Sequence, residues 1–115
     1  MSKCKTVENT TTAGKLLYDC IGDYKQEMTI TEASETVYAL RDISYALTFL
    51  TEHLQNEISR NAKSENMHLV DRKQGDVYEQ LDKVQNILKQ SSTSARILGE
   101  NYHSALDYTA WMRDR

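Results

Sequence analysis

The chain has 115 residues, no proline, four glycines and a net charge of −3 at pH 7. This length suits one domain, and so little proline and glycine predicts an all-α protein. The slightly acidic balance argues against a nucleic-acid surface, which would be basic. No apolar run approaches the ~20 residues that span a bilayer, and the start of the chain lacks the apolar segment that would predict a signal peptide. We therefore expect one cytoplasmic domain over residues 1–115.

The amino-terminal region predicts a short first helix. Residues 1–8 are polar and expected to be disordered. Residues 9–12 offer several N-cap side chains, so a helix is expected over about 13–27. Cys4 and Cys20 lack a metal-binding or redox spacing and are expected to be free thiols. The apolar residues of the helix form one stripe: Leu16, Leu17, Cys20, Ile21 and Tyr24.

A long central helix over about 29–60 is the strongest prediction. Thr29, followed three residues later by Glu32, fits a capping box. Heptad spacing, as in a coiled coil, then places one apolar stripe toward the core, with Ser44 and Thr51 as weak positions. The stripe comprises Val37, Leu40, Ile43, Leu47, Leu50, Leu54 and Ile58.

A second apolar group lies on the same helix. At about 100° per residue, Tyr38, Tyr45 and Phe49 fall within ~40° of one another and roughly 170° from the first stripe. A helix that is apolar on both sides is normally buried on both sides. Either another helix of the chain covers these rings, or they bind a second copy or another protein, a role that tyrosine suits.

The carboxyl-terminal part, about 64–114, carries an apolar register of alternating threes and fours that never slips. Residues 91–94 interrupt it with four consecutive serines and threonines, which favour caps and turns. Two alternatives follow: a helical hairpin that turns at 91–94, which we favour, or a single long helix, which would expose apolar surface and imply a dimer. Tyr108 and Trp111 lie off the main stripe, either packed on the first helix or within a contact surface.

Two Glu-x-x-His pairs are candidate metal ligands. These are Glu65 with His68 and Glu100 with His103, a spacing that di-iron helical bundles use. Both pairs fall on the faces away from the apolar seam, whereas such ligands must project into the core. No metal site, cofactor or small-molecule ligand is therefore expected.

Arg96 and His103 are separated by six residues. This spacing resembles the Arg-x(4–6)-His element of HEPN-type ribonucleases, small helical domains that are often dimeric. The resemblance covers eight residues, and Ile97 departs from the polar residue that commonly follows the arginine. It implies metal-independent RNA cleavage, with His103 assisting proton transfer and Arg96 stabilising the phosphorane charge.

The sequence as a whole predicts an all-α bundle of three or four helices around the 29–60 helix. The expected function is protein–protein interaction, as an adaptor, inhibitor or accessory factor of bacterial or phage type, with another protein or as a homodimer. No catalytic residue, nucleic acid or membrane is expected, and the ribonuclease is the alternative. The expected interface comprises Tyr38, Tyr45, Phe49, Tyr108 and Trp111.

Overall fold

A computed structural model describes residues 4–23, 26–64 and 77–114, which form three α-helices and no strand. Helix α1 spans Lys5–Asp19 and is followed by a short 3-10 helix, Cys20–Asp23. Helix α2 spans Ile30–Lys63, and helix α3 spans Val77–Thr109. The all-α prediction is confirmed. No helix in these ranges is both long and apolar enough to cross a membrane.

The start of α2 is fixed by the predicted capping box. The Thr29 hydroxyl accepts a hydrogen bond from the Glu32 backbone N–H at 3.1 Å. The Thr29 N–H in turn donates to a Glu32 carboxylate oxygen, also at 3.1 Å. Two backbone donors that the helix itself leaves unpaired are thereby satisfied. The helix starts where predicted and ends at Lys63, three residues beyond the predicted end.

Helices α2 and α3 run antiparallel and form a hairpin. Near one end, the side-chain amide of Gln85 donates to the Gln55 carbonyl at 3.0 Å and to the Ser59 hydroxyl at 3.1 Å. Further along, Arg41 lies beside His103. As residue numbers fall along α2, those of their α3 neighbours rise, which is the signature of antiparallel packing.

Helix α3 is continuous through the serine and threonine run. The favoured turn at residues 91–94 is therefore wrong, and the single long helix is what the structure shows from Val77 onward. The Ser91 hydroxyl donates to the Ile87 carbonyl at 2.9 Å, a bond compatible with a helix interior. Ser92 is buried. The hairpin is instead made by α2 and α3 together, and residues 65–76, the first part of the stretch predicted to be helical, lie outside the described residues.

Small residues, many with hydroxyls, line the seam between α2 and α3. Ser44 is only 2% exposed, the most buried side chain described. Its hydroxyl donates to the Leu40 carbonyl at 2.8 Å, and that of Thr48 donates to the Ser44 carbonyl at 3.1 Å. Each of these two buried hydroxyls thus has a partner within its own helix, which removes most of the cost of burying it. The other buried residues of the seam are Ala62, Ser92, Gly99 and Leu106.

The predicted core stripe is displaced by one residue at several positions. On α2, Thr48 and Gln55 occupy the seam in place of Leu47 and Leu54, and both leucines are about half exposed. Helix α3 shows the same displacement by one residue. There, Gln85, Ser92, Gly99 and Leu106 are more buried than Val84, Ser91, Leu98 and Ala105. A shift of one residue at alternate positions rotates each helix by roughly 50°.

Helix α1 lies outside this hairpin. It begins at Lys5 rather than near residue 13, so residues 9–12 are inside the helix rather than capping it. Among the described residues, its Cα atoms stay more than 8 Å from those of α2 and α3. It approaches α2 near Leu50, across an open hollow, through Thr6, Asn9, Thr10 and Ala13. None of its side chains is buried, so its predicted apolar stripe is not a core, and both cysteines are free and exposed.

Candidate protein-binding surfaces

The rotation of the two helices leaves one apolar surface on each side of the seam. Because the helices are antiparallel, residues that directly follow the seam residues in sequence lie on one side of the hairpin in both helices. Residues that directly precede the seam residues lie on the other side. The contact between Arg41 and His103, which both lie on the first of these sides, shows this directly. On that side lies the aromatic face, formed by Tyr38, Tyr45 and Phe49 of α2 with Arg96 and His103 of α3. On the opposite side lies the leucine face, formed by Leu47, Leu50, Leu54, Val84, Ile87 and Leu98.

The rings of the aromatic face differ in their surroundings. Phe49 is 70% exposed and Tyr38 is half exposed. Tyr45 is partly buried because its ring packs directly on the backbone of α3 at Gly99. A Cβ atom at Gly99 would lie only 2.6 Å from Tyr45 Cε1. The structure therefore leaves two of the three predicted rings accessible and gives the third a role inside the hairpin.

Arg41 organises the end of the aromatic face. Its guanidinium lies over the Tyr38 ring, 4.9 Å from the centroid, which is a favourable cation–π distance. It also pairs with Asp42 at 3.1 Å and lies 3.4 Å from Nδ1 of His103. These contacts hold a polar cluster beside the exposed rings. Sequence analysis missed Arg41, although its spacing of three residues from Tyr38 places the two on one helix face.

The predicted ribonuclease pair, Arg96 and His103, lies on the side of α3 that belongs to the aromatic face. The two residues are seven positions apart, a rise of roughly 10 Å along the helix. Among the described residues, Arg96 makes no hydrogen bond or ion pair, and the hydrogen-bonding neighbour of His103 is Arg41. The structure thus places both residues on one surface but does not bring their side chains together.

Tyr108 and Trp111 lie at the carboxyl-terminal end of α3. Tyr108 is 72% exposed, and Trp111, in the turn after the helix, is 87% exposed. This exposure excludes packing of Trp111 on α1 and leaves its ring available for contact. The backbone N–H of Trp111 donates to the Tyr108 carbonyl at 3.2 Å, which holds the turn beside the helix end.

Asp114 ties this turn to the start of α2. Its carboxylate accepts hydrogen bonds from the Thr31 hydroxyl at 2.7 Å and the Ile30 N–H at 2.9 Å. The bonds from Thr31 and Ile30 hold the pKa of Asp114 below its ordinary value. Sequence analysis missed this contact, because residues 83 or 84 positions apart show no local pattern.

The leucine face is the surface that sequence analysis assigned to the core. Its members are 37% to 61% exposed, Leu50 least and Ile87 most. On α2 the leucines follow a spacing of three and four. On α3, Val84 and Ile87 are separated from Leu98 by Ser91 and Ser94, which occupy the same stripe. No charged residue falls on this stripe between positions 40 and 54 of α2 or between 84 and 98 of α3.

No group of three or more metal-binding side chains is found in the described ranges. Glu65 and His68 lie outside them, and Glu100 and His103 are exposed. Comparison with protein-family models, curated proteins and solved structures gives no match to this chain. Its function is therefore argued from these surfaces.

Proposed function

We propose that this chain is a small helical protein–protein interaction module, an adaptor, inhibitor or accessory factor that acts in the cytoplasm. One observation carries the proposal: of the apolar side chains in the described ranges, only Ala62 and Leu106 are buried. Large apolar residues are instead exposed on both sides of the hairpin. Contiguous exposed apolar patches on small domains mark sites of association.

The aromatic face has the chemistry of a binding hot spot. Tyrosine, tryptophan and arginine dominate such sites, because their large side chains bury apolar area and still offer polar groups. Phe49 provides an exposed apolar ring. Arg41 fixes the orientation of Tyr38, which lowers the conformational entropy lost on binding. Tyr108 and Trp111 are a second candidate contact at the end of α3, and Tyr108, three heptads after Ile87, lies on the side of the leucine face.

Charge inversion at Phe49 tests the proposal. Tagged wild-type chain is used to isolate a partner from native lysate, the partner is identified by mass spectrometry, and its affinity is then measured with both proteins purified. Phe49→Glu should weaken binding at least ~10-fold, because a carboxylate would be desolvated in the contact. Phe49 is preferable to Tyr45, whose substitution would also disturb its packing on Gly99.

Gln90→Glu is the matched control, since Gln90 is exposed on the side of α3 that faces away from the seam. This control should bind like the wild type, and circular dichroism should show unchanged helix content in both variants. A purified partner that binds Phe49→Glu as tightly as the wild type would remove the aromatic face from the proposal.

The alternative is a metal-independent ribonuclease. The observation that favours it is the position of His103 beside Arg41, on the surface that Arg96 shares. The guanidinium of Arg41 beside that imidazole suits an anionic phosphate, and Arg96 lies two turns away on the same surface. On this alternative, His103→Ala abolishes RNA cleavage measured in the presence of a chelator. On the interaction proposal, the wild-type chain cleaves no RNA and His103→Ala changes nothing in that assay.

A further inference from the structure

We propose that the leucine face docks a second copy of this chain, so that two α2/α3 hairpins pack as a four-helix bundle. This inference rests on the proposed function, because it names one protein partner and the surface that binds it. It assigns the leucines a buried role between chains, which the hairpin alone does not give them.

The leucine face carries little charge, which suits contact with a second copy of itself. In a two-fold symmetric dimer, one surface patch meets the same patch of the second copy. A charged patch would therefore repel itself, whereas the stripe of the leucine face is uncharged from position 40 to 54 of α2 and from 84 to 98 of α3. Glu57, which continues the stripe of α2 beside Ile87, is already paired with Arg60. The aromatic face lacks this property, since it includes Arg96 and borders Asp42. Of the two faces, the leucine face is the one suited to self-association.

The leucine face also has a ridge and a depression that lie side by side. The contact of Tyr45 with Gly99 defines two positions at the same height in the hairpin. Five residues further along α2 is Leu50, and five residues back along α3 is Ser94, so these two also lie level. The leucines of α2 form a ridge, and the serines at 91 and 94 form a depression beside it, between Ile87 and Leu98.

A two-fold axis parallel to the helices would place α2 of one copy over α3 of the other. Because such an axis preserves height, Leu50 would meet Ser94 of the second copy, and each ridge would fill the other depression. Burying Ser91 leaves no donor unpaired, since its hydroxyl already donates to the Ile87 carbonyl. Leu50 remains accessible with α1 in place, at 37% exposure.

The test is the mass of the full chain in solution. Light scattering and sedimentation equilibrium under reducing conditions, which exclude a disulfide between the free cysteines, should give twice 13.2 kDa. Leu50→Glu and Ser94→Arg should each raise the dissociation constant of the dimer at least ~100-fold. Both positions are exposed in the single chain, so circular dichroism should show that the helices remain.

Asn86→Glu, on the outer side of α3, should keep the mass of the wild type. A wild-type chain that is monomeric at every concentration overturns the inference, as does a dimer that survives both Leu50→Glu and Ser94→Arg. The proposed function fails separately. A monomer that binds a purified partner through Phe49 refutes only the dimer, whereas a monomer that binds no protein at all refutes both.

Discussion

The seam between α2 and α3 and the leucine face beside it are built from the same two helices with opposite residue sizes. The seam takes Ser44, Thr48 and Gly99, which are buried, while the leucine face presents residues such as Leu47 that are about half exposed. Small side chains let the two backbones approach closely, and the hydroxyls are satisfied within their own helices. Closeness of approach, rather than hydrophobicity, therefore selects the stripe on which this hairpin closes.

Enlarging the seam should have the largest effect. Ser44→Leu places a side chain as large as those of the leucine face at a position that is only 2% exposed and has no free space. Overpacking of this kind costs typically ~1–3 kcal/mol, and here it would push the helices apart. Urea unfolding followed by circular dichroism should show a much lower midpoint. Ser44→Ala is the matched control and should change the free energy of unfolding by less than ~1.5 kcal/mol, because it removes only one hydrogen bond. A midpoint unchanged in Ser44→Leu would mean that α2 and α3 do not meet at this position.

Gly99→Ala should have the next largest effect. The added Cβ would lie 2.6 Å and 2.7 Å from two carbons of the Tyr45 ring, so the ring or the helix must move. Alanine gains ~1 kcal/mol in helix propensity, but the clash should outweigh it and leave a net loss of about 1 kcal/mol. Thermal unfolding measures the difference.

Gly14→Ala, in α1, provides the contrast, because nothing lies within 4 Å of the added Cβ. This control should gain up to ~1 kcal/mol through propensity alone. If both alanine variants were stabilised equally, the close contact between Tyr45 and Gly99 would be refuted.

Asp114→Asn should have the smallest effect, because Asp114 lies beyond the end of α3, outside both the seam and the leucine face. Hydrogen bonds from Thr31 and Ile30 lower the pKa of Asp114 in the folded state. A lowered pKa stabilises the fold above the unfolded-state pKa, and this contribution disappears as the pH falls through the folded-state pKa. The variant should therefore melt slightly below the wild type at neutral pH and together with it in acid. A difference that persisted at low pH would assign the effect to packing instead.

Particular residues show why prediction succeeded in part. The capping box at Thr29 and Glu32 was predictable because it joins residues three apart. In α3, the unbroken register was the better guide, and the turn preference of the serines at 91–94 was overridden because Ser92 packs in the seam. The exposure of Tyr38, Phe49 and Trp111 was not predictable, since it depends on which side of each helix its partner covers.

The sequence alone determined the helical class, the start of α2 and two apolar stripes on that helix. Periodicity locates such a stripe only to within about one residue, because neighbouring positions differ by ~100° and several leucines share the same side. Only the tertiary structure decided that α3 packs between the two stripes. The reason is steric: Ser44 and Gly99 permit an approach that the leucines would block, so the leucines are left on the surface.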